Sequence, residues 1–162
     1  EEVGGMTWQE LDVEKALWSI PAERSKNRQA HEVPLSNPAL MLLQSRQRHD
    51  KRDLVFGVGK GPFSGWSKAK ARLDLRSDVE NWRLHDLRRT VVTGMAETGI
   101  QPHIIEAVVN HISGHKAGIA GVYNRATYAE EKRQALNKWA DHILTTAIQA
   151  SIPELIEHQN AI

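Results

Sequence analysis

Two short apolar runs, Ala16-Leu17-Trp18-Ser19-Ile20-Pro21 and His31-Glu32-Val33-Pro34-Leu35, flank the polar stretch Glu23-Arg24-Ser25-Lys26-Asn27-Arg28-Gln29. Runs of that length around a polar turn predict a β-hairpin with a strongly basic tip. Ahead of it, residues 2–6 read as the end of a helix and Trp8-Gln9-Glu10-Leu11-Asp12 as an acidic turn. Behind it, apolar residues at 39, 40, 42 and 43 suit a helix over 38–48 with Pro38 in its first turn. Leu54-Val55-Phe56 is a short buried segment running into the flexible loop Gly57-Val58-Gly59-Lys60-Gly61-Pro62, and Ser64 to Leu75 is a basic helical stretch.

The second half reads as helical. Residues 86–98 predict a helix stopped by Gly99, and Pro102 opens another over 103–110. Ser113 to Gly118 reads as a loop. Thr127 and Glu130 have the spacing of a capping box opening the longest helix, to about Gln149. Its apolar positions Leu136, Trp139, Ala140, Ile143, Leu144, Ala147 and Ile148 recur with the helical period, so one face is expected to be core. The chain is expected to leave that helix at Ser151-Ile152-Pro153. The whole predicts an α+β, mainly helical fold: a small antiparallel hairpin or sheet near the N-terminus packed on a helical bundle. One domain covers 1–150 and a tail covers 151–162.

A length of 162 residues with 40% apolar content is enough for one hydrophobic core. No apolar run reaches the eighteen or so residues of a membrane span, and the opening Glu1-Glu2-Val3-Gly4-Gly5 lacks the pattern of a secretion signal. That opening, without a methionine, suggests part of a longer protein. The absence of cysteine excludes disulfides and thiolate metal sites and fits a reducing cytoplasm. The net charge of +1 hides an asymmetry. Residues 24–89 hold fifteen of the 21 Lys and Arg but seven of the 20 Asp and Glu, leaving six and thirteen elsewhere. Such a basic block suits a polyanion, whose phosphates release counterions when neutralised; a merely solvated basic surface is the alternative.

The chemistry concentrates in Arg83-Leu84-His85-Asp86-Leu87-Arg88-Arg89-Thr90. On a helix, His85 and Arg88 project from one face. Arg offers a planar fork matched to phosphate oxygens, and His carries or accepts a proton near neutral pH. The pair is suited to a phosphodiester, although a surface ion pair with Asp86 would also account for the charge. His111 lies downstream in Val108-Val109-Asn110-His111, followed by Tyr123 in Gly121-Val122-Tyr123-Asn124-Arg125; Lys26 lies upstream at the hairpin tip.

In that order these residues resemble the tyrosine recombinase family, in particular phage and genomic-island integrases. The phrases that carry the resemblance are Arg24-Ser25-Lys26-Asn27 leading to His31-Glu32-Val33-Pro34-Leu35-Ser36, Leu84-His85-Asp86-Leu87-Arg88-Arg89-Thr90, Asn110-His111-Ile112-Ser113-Gly114, and Gly121-Val122-Tyr123-Asn124-Arg125. They span roughly residues 1–145. The resemblance implies a site-specific DNA strand transferase that needs no metal, cofactor or ATP. Tyr123 would be the nucleophile, forming a 3′-phosphotyrosyl bond. Arg88 and His111 would contact phosphate oxygens, His85 would help remove the phenolic proton, and Lys26 would protonate the leaving 5′ oxygen. Arg24, Arg28, Arg89 and His31 are the expected DNA contacts. The implied partners are double-stranded attachment-site DNA and further copies of the chain in a synaptic tetramer, in a bacterial cytoplasm at the nucleoid. Leu155 and Ile156 would contact a neighbouring protomer. A further catalytic Arg of the family would fall just before residue 1, as would its amino-terminal DNA-binding domain, leaving the isolated chain short of one catalytic group.

Rival signals are weaker. A metal-dependent phosphohydrolase built on His85-Asp86 would leave Tyr123 and Lys26 unexplained. His111 and His115 have helical zinc-ligand spacing, but Ser113-Gly114 between them argues against a helix. Gly57-Val58-Gly59-Lys60-Gly61 lacks the spacing of a phosphate-binding loop. A non-catalytic DNA-binding module is the rival of a different class, distinguished by whether Tyr123 forms a covalent adduct.

Overall fold

Along one short strand, buried Trp18 and Ile20 alternate with exposed Ser19, the period-two pattern of a sheet with one face on a core. The computed structural model describes residues 1–111 and 127–159, with side chains through residue 150. Strands β1 (Leu11–Asp12), β2 (Leu17–Ile20) and β3 (His31–Pro34) form an antiparallel sheet in that order, with Trp18 opposite Leu11 on one side and Val33 on the other. The buried face of β2 meets Met6, Leu35, Leu43 and Val55. The hairpin is where the apolar runs predict it. The stretch read as an acidic turn instead supplies a 3-10 turn (Trp8–Glu10) and a third strand.

Residues 2–5 form turns, not the end of a helix. Gly4 and Gly5 are buried there at close approaches: a Cβ on Gly5 would lie 2.4 Å from Arg24 Nη1, and one on Gly4 2.8 Å from the Phe63 carbonyl oxygen. At Gly4 the obstacle is backbone and leaves no room for a side chain, whereas at Gly5 the Arg24 guanidinium would have to shift.

Five α-helices follow among the described residues: α1 (Asn37–Gln44), α2 (Trp66–Ser77), α3 (Leu84–Glu97), α4 (Pro102–Val108) and α5 (Ala129–Gln159). Helix α1 is shorter than its apolar pattern suggests and ends at Ser45, whose hydroxyl donates to the Leu42 carbonyl at 2.8 Å. Helix α3 starts two residues before Asp86, because the Asp86 carboxylate accepts the Arg83 backbone N–H at 2.9 Å and so satisfies an orphan donor of the first turn. It stops where expected, ahead of Gly99 with its left-handed φ of +82°.

Helix α5 departs from expectation at three points. It opens at Ala129, with the Lys132 N–H donating to the Tyr128 carbonyl at 2.8 Å, so Thr127 is one residue too early to cap it. It runs through Pro153 to Gln159 instead of ending near Gln149. Proline removes one N–H donor and crowds one carbonyl, which interrupts the ladder at one position while the turns on either side continue. Finally, its apolar stripe is not all core. Ala135 is buried and Leu136, Trp139 and Ala140 are partly buried, but Ile143, Leu144, Ala147 and Ile148 are exposed. Strand β3 and helices α1, α3 and α4 pack on α5, and its residues 141–150 are exposed. The side chains of Leu155 and Ile156 lie outside the described residues.

Met95, Ile104, Ile105, Ala107 and Ala135 are buried on the three mutually packed helices α3, α4 and α5. Cations along α5 tie it to the rest. Buried Lys132 donates to the Glu32 carbonyl of β3 at 2.7 Å, Arg133 to the Lys15 carbonyl at 3.1 Å, and Lys138 to the Thr98 carbonyl at the end of α3. The last contact places positive charge at a helix C-terminus, where the macrodipole favours it. Among the described residues no helix is long and apolar enough to cross a membrane.

Candidate active site

His85 and Arg88, one turn apart on α3, line an open cleft of about 450 Å³ together with Glu106 of α4 and His111 just beyond it. The helical spacing that puts His85 and Arg88 on one face thus also brings them to the His reached through the next helix. Arg89, Thr93, Ile105 and Val109 complete much of the wall.

The cleft owes its shape to the carboxyl end of α4. A helix leaves its last carbonyls without internal partners, and here other elements use them. The Arg88 guanidinium donates an Nη2 hydrogen to the Val109 carbonyl, and His31 Nε2 lies 3.3 Å from the Val108 carbonyl. The His111 N–H closes back on the Glu106 carbonyl at 3.0 Å. A guanidinium carries five N–H donors, so the bond to Val109 can orient Arg88 while other donors face the cleft.

The ion pair of Asp86 goes to Arg89 (3.5 Å), not to Arg88, and both partners are substantially exposed. Such a pair contributes little to stability. The bond from the Arg83 backbone N–H, with a smaller contribution from Arg89, holds the Asp86 carboxyl below the ordinary carboxylate range.

On the hairpin side, Lys26 is exposed at the turn, and its backbone N–H donates to Glu2 Oε1 at 3.1 Å. The residues flanking it are fastened to α4. Asn27 Nδ2 donates to Asn110 Oδ1 at 2.9 Å, and Asn110 Nδ2 donates to Ser25 Oγ at 3.3 Å. The structure therefore carries the Lys26 turn to the end of α4 that bears His111. Arg28 is exposed in the same turn.

Arg24, expected to contact DNA, is engaged within the protein. Its Nε donates to Glu10 Oε1 at 2.5 Å, and its Nη2 to Glu10 Oε2 at 2.9 Å and the Glu2 carbonyl at 3.1 Å. The same Glu10 accepts Trp18 Nε1 at 3.0 Å. The guanidinium is turned inward, with only 28% of its side chain exposed. His31 is likewise engaged at the α4 end. Tyr123 and its neighbours Gly121 to Arg125, the loop Ser113 to Gly118, and His115 lie outside the described residues. Among the described residues, no group of three or more His, Asp or Glu is placed to hold a metal ion.

Sequence reasoning missed Asn27, Asn110, Glu10 and Glu106. For Asn110 a signal existed: Asn directly after a helix is the commonest substitute for glycine in the left-handed closing position, and Asn110 has φ 51°.

The chain is similar to known proteins over most of its length. The model of the Phage integrase family matches residues 1–130. Prophage integrase IntA of Escherichia coli (strain K12) is 30% identical over 152 residues, covering 86% of this chain and 34% of that protein. Prophage integrase IntZ of the same strain is 32% identical over 142 residues, covering 84% and 34%. The Integrase of Shigella phage Sf6 is 27% identical over 150 residues, covering 87% and 37%. The chain thus spans about a third of the length of these relatives. No solved structure matches it significantly.

Proposed function

The chain belongs to the phage integrase family, and from that premise we propose that it is the catalytic part of a tyrosine-type site-specific DNA recombinase that integrates or excises a prophage or genomic island. The observation that carries the proposal is the convergence of His85, Arg88 and His111 on one cleft, with the Lys26 turn hydrogen-bonded beside it.

A phosphodiester under attack gains charge on its non-bridging oxygens, and fixed donors aimed at those oxygens stabilise it. In this reading Arg88 and His111 supply such donors. The Tyr123 phenol oxygen forms a bond to phosphorus as the bond from phosphorus to the 5′ oxygen breaks. His85 accepts the phenolic proton, needed because a phenol with a pKa near ~10 is a poor nucleophile at neutral pH. Lys26 delivers a proton to the departing 5′ oxygen. The phosphotyrosyl link keeps the energy of the broken bond, so the 5′ hydroxyl of another strand can reverse the reaction, and no step calls on ATP or a metal. Arg28 and Arg89, both exposed, are proposed to contact the DNA backbone. Arg24 and His31 are proposed to serve by holding the hairpin. Assembly as a tetramer on paired attachment sites, in a bacterial cytoplasm at the nucleoid, completes the reading.

The test is a duplex nicked so that the released 5′ fragment diffuses away and traps the covalent species. The intact protein is expected to form a protein–DNA adduct, and Tyr123→Phe to lose it while still binding the duplex. An undiminished adduct with Tyr123→Phe would overturn the assignment.

A further inference from the structure

Residues 25, 27 and 110 form a small polar cluster bridging more than eighty residues of sequence. Asn110 Oδ1 accepts from Asn27 Nδ2 at 2.9 Å, and its backbone carbonyl receives the same amide at 3.4 Å. Asn110 Nδ2 donates to Ser25 Oγ at 3.3 Å and lies 3.4 Å from Asn27 Oδ1. Ser25, which is buried, donates to Asn27 Oδ1 at 2.7 Å. The partners are thus the two residues on either side of Lys26. At the other end, Asn110 lies between Val109, whose carbonyl receives Arg88, and His111, which lines the cleft.

Building on the recombinase reading above, we propose that Asn110 is a positioning residue: its carboxamide locks the Lys26 turn to the end of α4, so that the leaving-group acid and the phosphate-binding groups are assembled as one unit. The residue type fits. With φ at 51°, the position is one that Gly or Asn adopts readily and most residues do not. Glycine would satisfy the backbone but provide no clasp. Aspartate would provide acceptors but no donor for Ser25. A carboxamide both donates and accepts, and the cluster uses both capacities.

The consequence is specific to one chemical step. If the clasp acts through Lys26, losing it slows proton delivery to the leaving group and leaves phosphate binding and nucleophilic attack largely intact. DNA in which sulfur replaces the bridging 5′ oxygen separates these. The phosphorus–sulfur bond breaks to a thiolate, whose conjugate acid has a pKa of about 8.5, so it departs without a proton from the enzyme.

The experiment measures single-turnover adduct formation by the intact protein on oxygen and sulfur duplexes, for wild type, Lys26→Ala, Asn110→Gly and Asn27→Ala. On oxygen, Lys26→Ala is expected to slow about 100-fold and the clasp variants about tenfold, as loss or misplacement of a general acid implies. On sulfur, all three are expected to return close to wild type. The ratio of rates for one preparation is independent of its folded fraction, and Asn27→Ala tests the same clasp from the hairpin side should Asn110→Gly fold poorly. If Lys26→Ala is rescued by sulfur but both clasp variants remain equally slow on the two substrates, or are not slowed at all, the positioning role is wrong while the recombinase reading stands. If sulfur fails to rescue Lys26→Ala, Lys26 is not the leaving-group acid and the clasp falls while the recombinase reading stands; if wild type forms no adduct, the two fall together.

Discussion

Gly94 of α3 lies directly against Trp139 of α5: a Cβ built on the glycine would fall 2.3 Å from the indole. The exact fit of helix against helix therefore depends on a missing methyl group. Gly94→Ala is expected to destabilise the fold by about 1–2 kcal/mol, since overpacking costs about 1–3 kcal/mol and better helix propensity returns somewhat under 1 kcal/mol. Urea unfolding measures this, and pairing the change with Trp139→Leu should recover much of the loss. A Gly94→Ala protein more stable than wild type would show that the indole moves aside freely.

Glu10 gathers Arg24, Trp18 Nε1 and, at 3.3 Å, the Thr7 N–H around one carboxylate. Glu10→Ala leaves a partly buried guanidinium without its counter-charge. The expected loss is about 2–3 kcal/mol, at or below the low end for removing one partner of a buried pair because Arg24 keeps some contact with water. Arg24→Ala is expected to weaken DNA binding only as far as it loosens the hairpin. An Arg24→Ala variant of wild-type stability with a clearly shallower salt dependence of DNA binding would return Arg24 to the role of phosphate contact.

Asp86 imposes a pH signature on α3. Its carboxyl pKa is lowered in the folded protein, first by the Arg83 N–H. A group whose folded pKa is depressed contributes stability that is fully present above its unfolded value and disappears as pH falls through the folded value. The margin of wild type over Asp86→Ala should therefore be full at neutral pH and shrink as the pH drops below the ordinary carboxyl value of 3.8. Thermal melts of both proteins across that range check it, and a margin independent of pH would mean the cap does not depend on ionisation.

Arg88→Lys keeps a positive charge but replaces a planar fork with a point charge on a flexible stem. Adduct formation is expected to fall about 10²–10³-fold, as for loss of one preorganised donor to a transition state, with duplex binding nearly unchanged. Wild-type adduct rates in the variant would remove Arg88 from the proposed chemistry.

Local signals were the readable ones. Two short apolar runs around a polar turn announce the hairpin, Gly99 and Pro102 mark the joint between α3 and α4, and the three-residue step from His85 to Arg88 places both on one face. Strand β1 is two residues long, too short to show any period. Arg24 stands in a basic run, and nothing local reveals its partner fourteen residues earlier in Glu10. Periodicity along α5 identifies an apolar face but not what covers it, so exposed Ile143 and Ile148 look the same in sequence as half-covered Leu136. The clasp between Asn27 and Asn110 joins positions 83 apart and is invisible to any window of sequence.

The carboxyl end of α4 is a junction with one setting. Because its last carbonyls and Asn110 receive contacts from both the hairpin and α3, a slip of that short helix by one residue would break the attachments on both sides at once. The two walls of the cleft are in register together or not at all, so half-formed versions of it should be scarce.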